Sequence, residues 1–294
     1  MNILEQIKSK AAALNKTIVL CEGEDSRVVR AASDATKQGI AKIVLLGDEA
    51  AIKAANPDVD LTGVTIVNPL TSDKLADYNA KLCEIRKSKG MTPEQAAELL
   101  KDGTYFGAMM LKCGDVDGLV SGACHSTANT LRPGLQIIKT APSVSAVSSF
   151  NLMICPPQGN QYCPDGVVVF ADCGLNPTYT SEGLADCAIA TAKSAKAIAG
   201  IEPKVAMLSF SSHGSAKHDN VTLVAEATRI AHEKAPELKL DGELQFDAAI
   251  VPSVGAMKAP GSEVAGHANV FIFPDLQAGN IGYKTVSYTH LTLP

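Results

Sequence analysis

The stretch Gly118–Ser148, GLVSGACHSTANTLRPGLQIIKTAPSVSAVS, decides how the chain reads. An apolar strand, Gly118–Ser121, runs into a loop of small and polar residues, Gly122–Asn129. That loop feeds a helical stretch carrying Arg132. A strand leading through small residues into a helix is how a fold aims backbone N–H groups at an anion. A guanidinium in the same turn adds the planar fork that phosphate oxygens accept. Ser126 and Thr127 suit phosphate oxygens through their N–H groups and hydroxyls, and they suit the capping of the helix equally well. Pro133 cannot donate to a helical ladder, so the helix starts near Arg132 or is kinked there. Either way Arg132 stays near the end of an element.

Outward from this stretch, apolar β-branched runs alternate with amphipathic ones. The strand candidates are Thr17–Cys21, Lys42–Leu46, Val64–Val67, Gly118–Ser121, Val167–Phe170, Val205–Phe210, Ala248–Val251 and Val270–Phe273. Helical patterns cover Arg27–Gln38, Asp73–Lys89, Ser181–Ala199 and Val221–Glu233. That alternation predicts three-layer α/β architecture with largely parallel sheets. Thr92-Pro93 with Gln95 is a capping box with Pro at the first helical position. Gly200 stops the Ala-rich helix that begins after Ser181. The Ala141–Pro142–Ser143 turn is the expected domain boundary.

Composition sets bounds. With 294 residues, 46% of them hydrophobic, the chain can bury one large core or two ordinary ones. A net charge of -5 points away from a nucleic acid or an acidic membrane surface as partner. No apolar run approaches the roughly 18 residues of a spanning helix, and the N-terminus lacks the apolar core of a signal peptide. A cytoplasmic protein is the expectation. None of the eight cysteines forms C-x-x-C or sits at zinc spacing from histidine. They are expected to be reduced structural thiols; Cys124, at the mouth of the loop, is the one candidate for reactivity.

Three further groups can carry chemistry. In Asp73–Lys89 the positions Leu75, Tyr78, Leu82 and Ile85 keep helical spacing and face the core. Arg86 lies at the margin of that stripe, able either to snorkel or to enter a site. Ser209–Ser215, SFSSHGS, is a second small polar loop after a strand, where open parallel sheets place ligand groups. Asp241, Glu243, Gln245 and Asp247 alternate, as on one face of an extended segment. Walker A and G-x-G-x-x-G strings are absent, and no third ligand accompanies His213 and His218, so no metal or cofactor is expected.

The chain as a whole resembles the phosphotransacetylase (phosphate acetyltransferase) family. The likeness is carried by CEGEDSRVVRAA (Cys21–Ala32), HSTANTLRPGLQIIKT (His125–Thr140), FADCGLNP (Phe170–Pro177), VAMLSFSSHGS (Val205–Ser215), DGELQFDAAIVP (Asp241–Pro252) and NVFIFPDLQAGNIGYK (Asn269–Lys284). The resemblance implies two three-layer α/β/α domains flanking a cleft, similar to isocitrate and isopropylmalate dehydrogenases. Residues 1–141 with 280–294 would form the first and 142–279 the second.

It also implies reversible acetyl transfer between acetyl phosphate and coenzyme A, direct within a ternary complex, by a cytoplasmic homodimer. Coenzyme A is a substrate, and no cofactor, membrane or nucleic acid is involved. Arg86 and Arg132 would hold the phosphoryl end as catalytic residues, and Ser126, Thr127, Tyr283 and Lys284 would line the substrate site. The family's aspartate base and its Ser-Arg partner lie beyond the GNIGYK string. This chain ends ten residues after Lys284, so they are absent from it. Its last stretch, TVSYTHLTLP, departs from the family pattern, as expected of a frame truncated or shifted near Ser287. A phosphate butyryltransferase, and a non-catalytic acyl-CoA sensor of the kind fused to some malic enzymes, are the alternative readings.

Overall fold

The computed structural model describes residues 3–141, 144, 147–155 and 161–290. The chain divides into two compact units, Met1–Lys139 and Thr140–Pro294. Of the expected boundary turn, Pro142 and Ser143 lie outside the described residues.

In the first unit, α1 (Ile3–Leu14) precedes β1 (Thr17–Leu20), α2 (Ser26–Lys37), β2 (Lys42–Leu46), α3 (Glu49–Ala55) and β3 (Thr65–Val67). Then follow α4 (Leu75–Ile85), α5 (Pro93–Leu99), α6 (Gly103–Cys113), β4 (Gly118–Val120) and α7 (Thr127–Pro133). The four strands are parallel in the order β3-β2-β1-β4. Alternation sorts their side chains between two helical layers. Val19, Val44 and Leu46 join Tyr78, Leu82, Phe106 and Met109 on one face. Leu20, Ile43 and Leu45 join Val29, Ala32 and Ile52 on the other. Helix ends follow the sequence: Asp25, Asp48, Thr92 and Asp102 each cap with a side-chain oxygen, and the Thr92–Gln95 box is closed in both directions. Pro133 ends α7 inside a continuous helical path, and a π-helical turn, Gly134–Ile138, takes it onward.

In the second unit β5 (Phe150–Ile154), β6 (Val167–Ala171), α8 (Ser181–Ala199), β7 (Lys204–Leu208), α9 (Asp219–Lys234) and β8 (Lys239–Leu244) come first. The short α10 (Phe246–Ile250) and α11 (Pro252–Lys258), β9 (Val270–Ile272) and α12 (Leu276–His290) complete it. The order is β5-β6-β9-β7-β8, parallel except for β5. Phe170, Phe271 and Phe246 meet edge-on or tilted in its core. Gly200 closes α8 in the left-handed conformation, as anticipated.

Four expectations differ from the structure. Ala248–Val251 is not a strand: Ala248, Ala249 and Ile250 belong to α10, because a run this short with two strong helix formers follows its packing. The alternating acids do not share one solvated face. The register shifts beside Gly242, so Glu243 is buried while Asp241 meets His213, and Asp247, already in α10, pairs with Lys258. Cys155 and Cys163, expected as free thiols, form a disulfide. The segment expected to return to the first domain begins within α12, whose Ala278, Tyr283 and Val286 pack on the apolar core of the second unit. That helix continues through Ser287 to His290.

Candidate active site

The chain builds β1, β2 and β3 in one direction across the first sheet and then places β4 on the other side of β1. Strand order therefore reverses between β1 and β4, and the carboxyl ends of strands at such a switch point are where open α/β sheets receive ligands. Parallel pairing of Leu20 with Val120 sets the segments after both strands side by side.

Glu22 sits in that crevice, buried, with every lone pair engaged. Its Oε2 accepts from the backbone N–H of Gly122 and of Ala123, each at 2.8 Å. Oε1 accepts from the Cys124 N–H at 2.8 Å and faces His125 Nδ1 at 2.7 Å. A carboxylate can only accept here, so Nδ1 carries a proton. Burial raises the Glu22 pKa, but the bonds from His125, Cys124, Ala123 and Gly122 outweigh it and bring the group down to about 2. The N–H groups at the start of the loop, Gly122–Cys124, are thus filled by an anion of the chain itself.

His125 also reaches Asp102, with Nε2 3.5 Å from Oδ2. Its pKa is raised, first by the bond to Glu22, against the opposing effect of burial. Asp102 caps α6 by accepting from the N–H groups of Thr104 and Tyr105. Tyr105, buried, donates its hydroxyl to Gln136 Oε1 at 3.1 Å. Burial pushes that phenol up, against the opposing charge of Arg132 and Arg86, and Asp102 raises it further. Close approach of α6 to β1 needs Gly103, where a Cβ would lie 2.4 Å from the Cys21 carbonyl oxygen.

The expected site residues distribute as follows. Arg86 is the C-terminal cap of α4, half-buried, and its Nε is buried with no acceptor among the described residues. Arg132 lies exposed in the last turn of α7. Ser126 caps α7 by accepting from the Asn129 N–H, and Thr127 is its first residue; both are exposed. Tyr283 and Lys284 belong to the second unit, where Tyr283 packs on the core and the Lys284 ammonium lies 5.9 Å from its ring centroid. Cys124 is not prepared as a nucleophile: its thiol contacts the Asp25 carboxylate at 3.3 Å, which raises its pKa. The Arg27 guanidinium crosses from Asp25 to the Ala123 carbonyl, bracing the same loop.

The second unit repeats the device. Asp172, fully buried after β6, accepts from the N–H groups of Ser149, Gly174, Leu175 and Asn176, from the Ser149 and Tyr179 hydroxyls, and from the Asn176 amide. Glu243 closes the SFSSHGS loop by accepting from Ser211 Oγ and the Gly214 N–H, both at 2.8 Å. Among the described residues no group of three or more His, Cys, Asp or Glu side chains is placed to hold a metal ion.

Glu22, His125, Asp102, Tyr105 and Gln136 were not singled out in the sequence. The available signals were an acid directly after a buried strand at Cys21-Glu22-Gly23 and the Asp102-Gly103 cap.

Comparison with known proteins identifies the family. The family model described as phosphate acetyl/butaryl transferase matches residues 2–292. A phosphate acetyltransferase of Acetivibrio thermocellus is 55% identical over 284 residues, covering 97% of this chain and 85% of the relative. One from Thermoanaerobacterium thermosaccharolyticum is 51% identical over 286 residues, covering 97% and 87%. The crystal structure of a phosphotransacetylase from Streptococcus pyogenes superposes with a TM-score of 0.90 at 44% identity, covering 97% of this chain and 85% of that one. With a family model spanning nearly every residue and relatives above half identical, the chain belongs to the phosphate acetyl/butaryl transferase family.

Proposed function

We propose that the chain catalyses reversible acetyl transfer between acetyl phosphate and coenzyme A. The observation that carries this reading is the 55% identity to a phosphate acetyltransferase over 97% of the chain. Arg86 and Arg132, whose charges both act on the Tyr105 phenol, are the phosphate grip of this reading.

In the forward direction the sulfur of coenzyme A bonds to the acetyl carbon and the carbon–oxygen bond to phosphate breaks. The thiol proton leaves to a base, and phosphate departs with the bonding electrons. Arg86 and Arg132 hold the phosphoryl oxygens and steady the charge that grows on them as the bond breaks. Ser126 and Thr127 offer exposed hydroxyls to the same oxygens. Tyr283 and Lys284 are carried as further substrate-site residues. The enzyme acts as a cytoplasmic homodimer, and turnover requires no added metal or cofactor.

The test is thioester formation from acetyl phosphate and coenzyme A, followed by absorbance, with and without a chelator. Turnover that survives the chelator is expected. Tight coenzyme A binding without any thioester would overturn the catalytic reading. Butyryl phosphate in the same assay is expected to be the poorer donor, by a margin of about 1–3 kcal/mol for each of the extra methylenes.

A further inference from the structure

The mechanism above uses the arginines but not the clasp beside them. His125 is the last residue before the cap of α7 and touches a carboxylate on each side: Glu22 after β1 and Asp102 at the start of α6. Glu22 also holds the three preceding N–H groups, and Asp102 holds the N–H of Tyr105. One imidazole thereby joins the elements that present Arg132 and Tyr105.

We propose that His125 is a positioning residue for phosphate binding, which locks the β1 end, α6 and α7 in the register that presents Arg132, and does so fully only as the imidazolium. The reason is donor count. A neutral imidazole with its proton on Nδ1 satisfies Glu22 but turns the Nε2 lone pair toward the Asp102 carboxylate; the imidazolium keeps the Glu22 bond and faces Asp102 with a second N–H across 3.5 Å. The charged groups acting on it are acidic: Glu22 and Glu24 from the segment after β1, and Asp102 at the cap of α6. The nearby Arg27 guanidinium is engaged by Asp25 and the Ala123 carbonyl.

This inference rests on the proposed phosphate grip, and its test separates the two. Inorganic sulfate serves as the probe, because it keeps its double charge across the range in which the histidine titrates. Calorimetry on the full 294-residue chain is expected to show sulfate binding about fivefold tighter near pH 6 than near pH 8.5, the effect of one nearby charge in a partly hydrated site. In His125→Gln that difference is expected to vanish. An unchanged pH dependence in the variant, or no sulfate binding at either pH, overturns the proposal. Should the variant fail to fold, the wild type still decides by linkage: sulfate must raise the His125 titration midpoint seen in imidazole NMR by the same factor. A midpoint indifferent to sulfate overturns the proposal. Turnover without the sulfate effect would leave the catalytic reading standing and remove this one; sulfate coupling without turnover would do the reverse.

Discussion

Replacing Asp172 by asparagine removes one charge and no volume, and the surroundings of Asp172 let the cost be worked out. Oδ1 accepts from the N–H groups of Ser149, Gly174 and Leu175 and from the Ser149 hydroxyl. Oδ2 accepts from the N–H and side-chain amide of Asn176 and from the Tyr179 hydroxyl. An asparagine offers one oxygen and one NH2 group, so one side of the cradle meets donor against donor. With the amide oxygen in the Oδ1 place, the Asn176 N–H and the Tyr179 hydroxyl lose their acceptor, while the Asn176 side-chain amide keeps the Val147 carbonyl; the opposite orientation strands three backbone N–H groups. At about 1–3 kcal/mol for each buried donor left without an acceptor, two stranded donors cost about 4 kcal/mol.

Hydrogen exchange reads this directly. Amides of β6 and β9 that exchange only through opening of the second unit are expected to speed up about a thousandfold in Asp172→Asn, since each decade corresponds to about 1.4 kcal/mol. The hydrogen bonds hold the Asp172 carboxyl below its ordinary value against the effect of burial. Its contribution is therefore present above the ordinary carboxylate range and lost as pH falls, and the variant should lose that part of the acid dependence. Acceleration of fivefold or less would refute the reasoning and show that water or rearranged backbone satisfies the cradle.

Three more outcomes are expected. Glu22, brought from 4.5 to about 2, should contribute about 3 kcal/mol to the first unit at neutral pH, a contribution that fades as pH drops through that interval. Acid unfolding of Glu22→Gln, followed by exchange in β1, should lack this limb. Arg132→Lys and Arg86→Lys keep the charge but lose the fork; each should raise the KM for phosphate about tenfold, read in steady-state kinetics run toward acetyl phosphate. Gly103→Ala drives a methyl group into the Cys21 carbonyl and should lower the stability of the first unit by about 1–3 kcal/mol, measured by urea unfolding.

The parallel strands were legible because central strands are buried on both faces and read as short apolar runs. Lys42–Leu46 and Ser181–Ala199 emerge with the same limits in the structure. Phe150–Ile154 escaped notice because β5 pairs antiparallel at an edge and Asn151 interrupts its apolar run. Lys239–Leu244 was read only as an extended alternation from Asp241 to Asp247, because a polar strand with a register shift beside Gly242 has no apolar run to mark its limits. There a Cβ would stand 2.5 Å from the Met207 Cβ, so the glycine marks a close approach rather than a turn. Arg86 was visible from its stripe and Arg132 from its loop. The clasp was not: Glu22 and Gly122 are a hundred residues apart, and only the pairing of β1 with β4 makes them neighbours.

Three strand-end loops are thus held by carboxylates of the same chain, at Glu22, Asp172 and Glu243. Fixing a loop residue costs about 1–2 kcal/mol of conformational entropy, and here that cost falls on folding, before any ligand arrives. An incoming anion meets a surface already set, so its arrival need not wait for loops to order. With the Gly122–Cys124 N–H groups taken, those three donors add nothing to its attraction, and the charge that draws it comes from side-chain cations. Capture through exposed guanidinium groups such as Arg132 weakens as ionic strength rises, whereas capture in a buried backbone nest would be far less sensitive to salt.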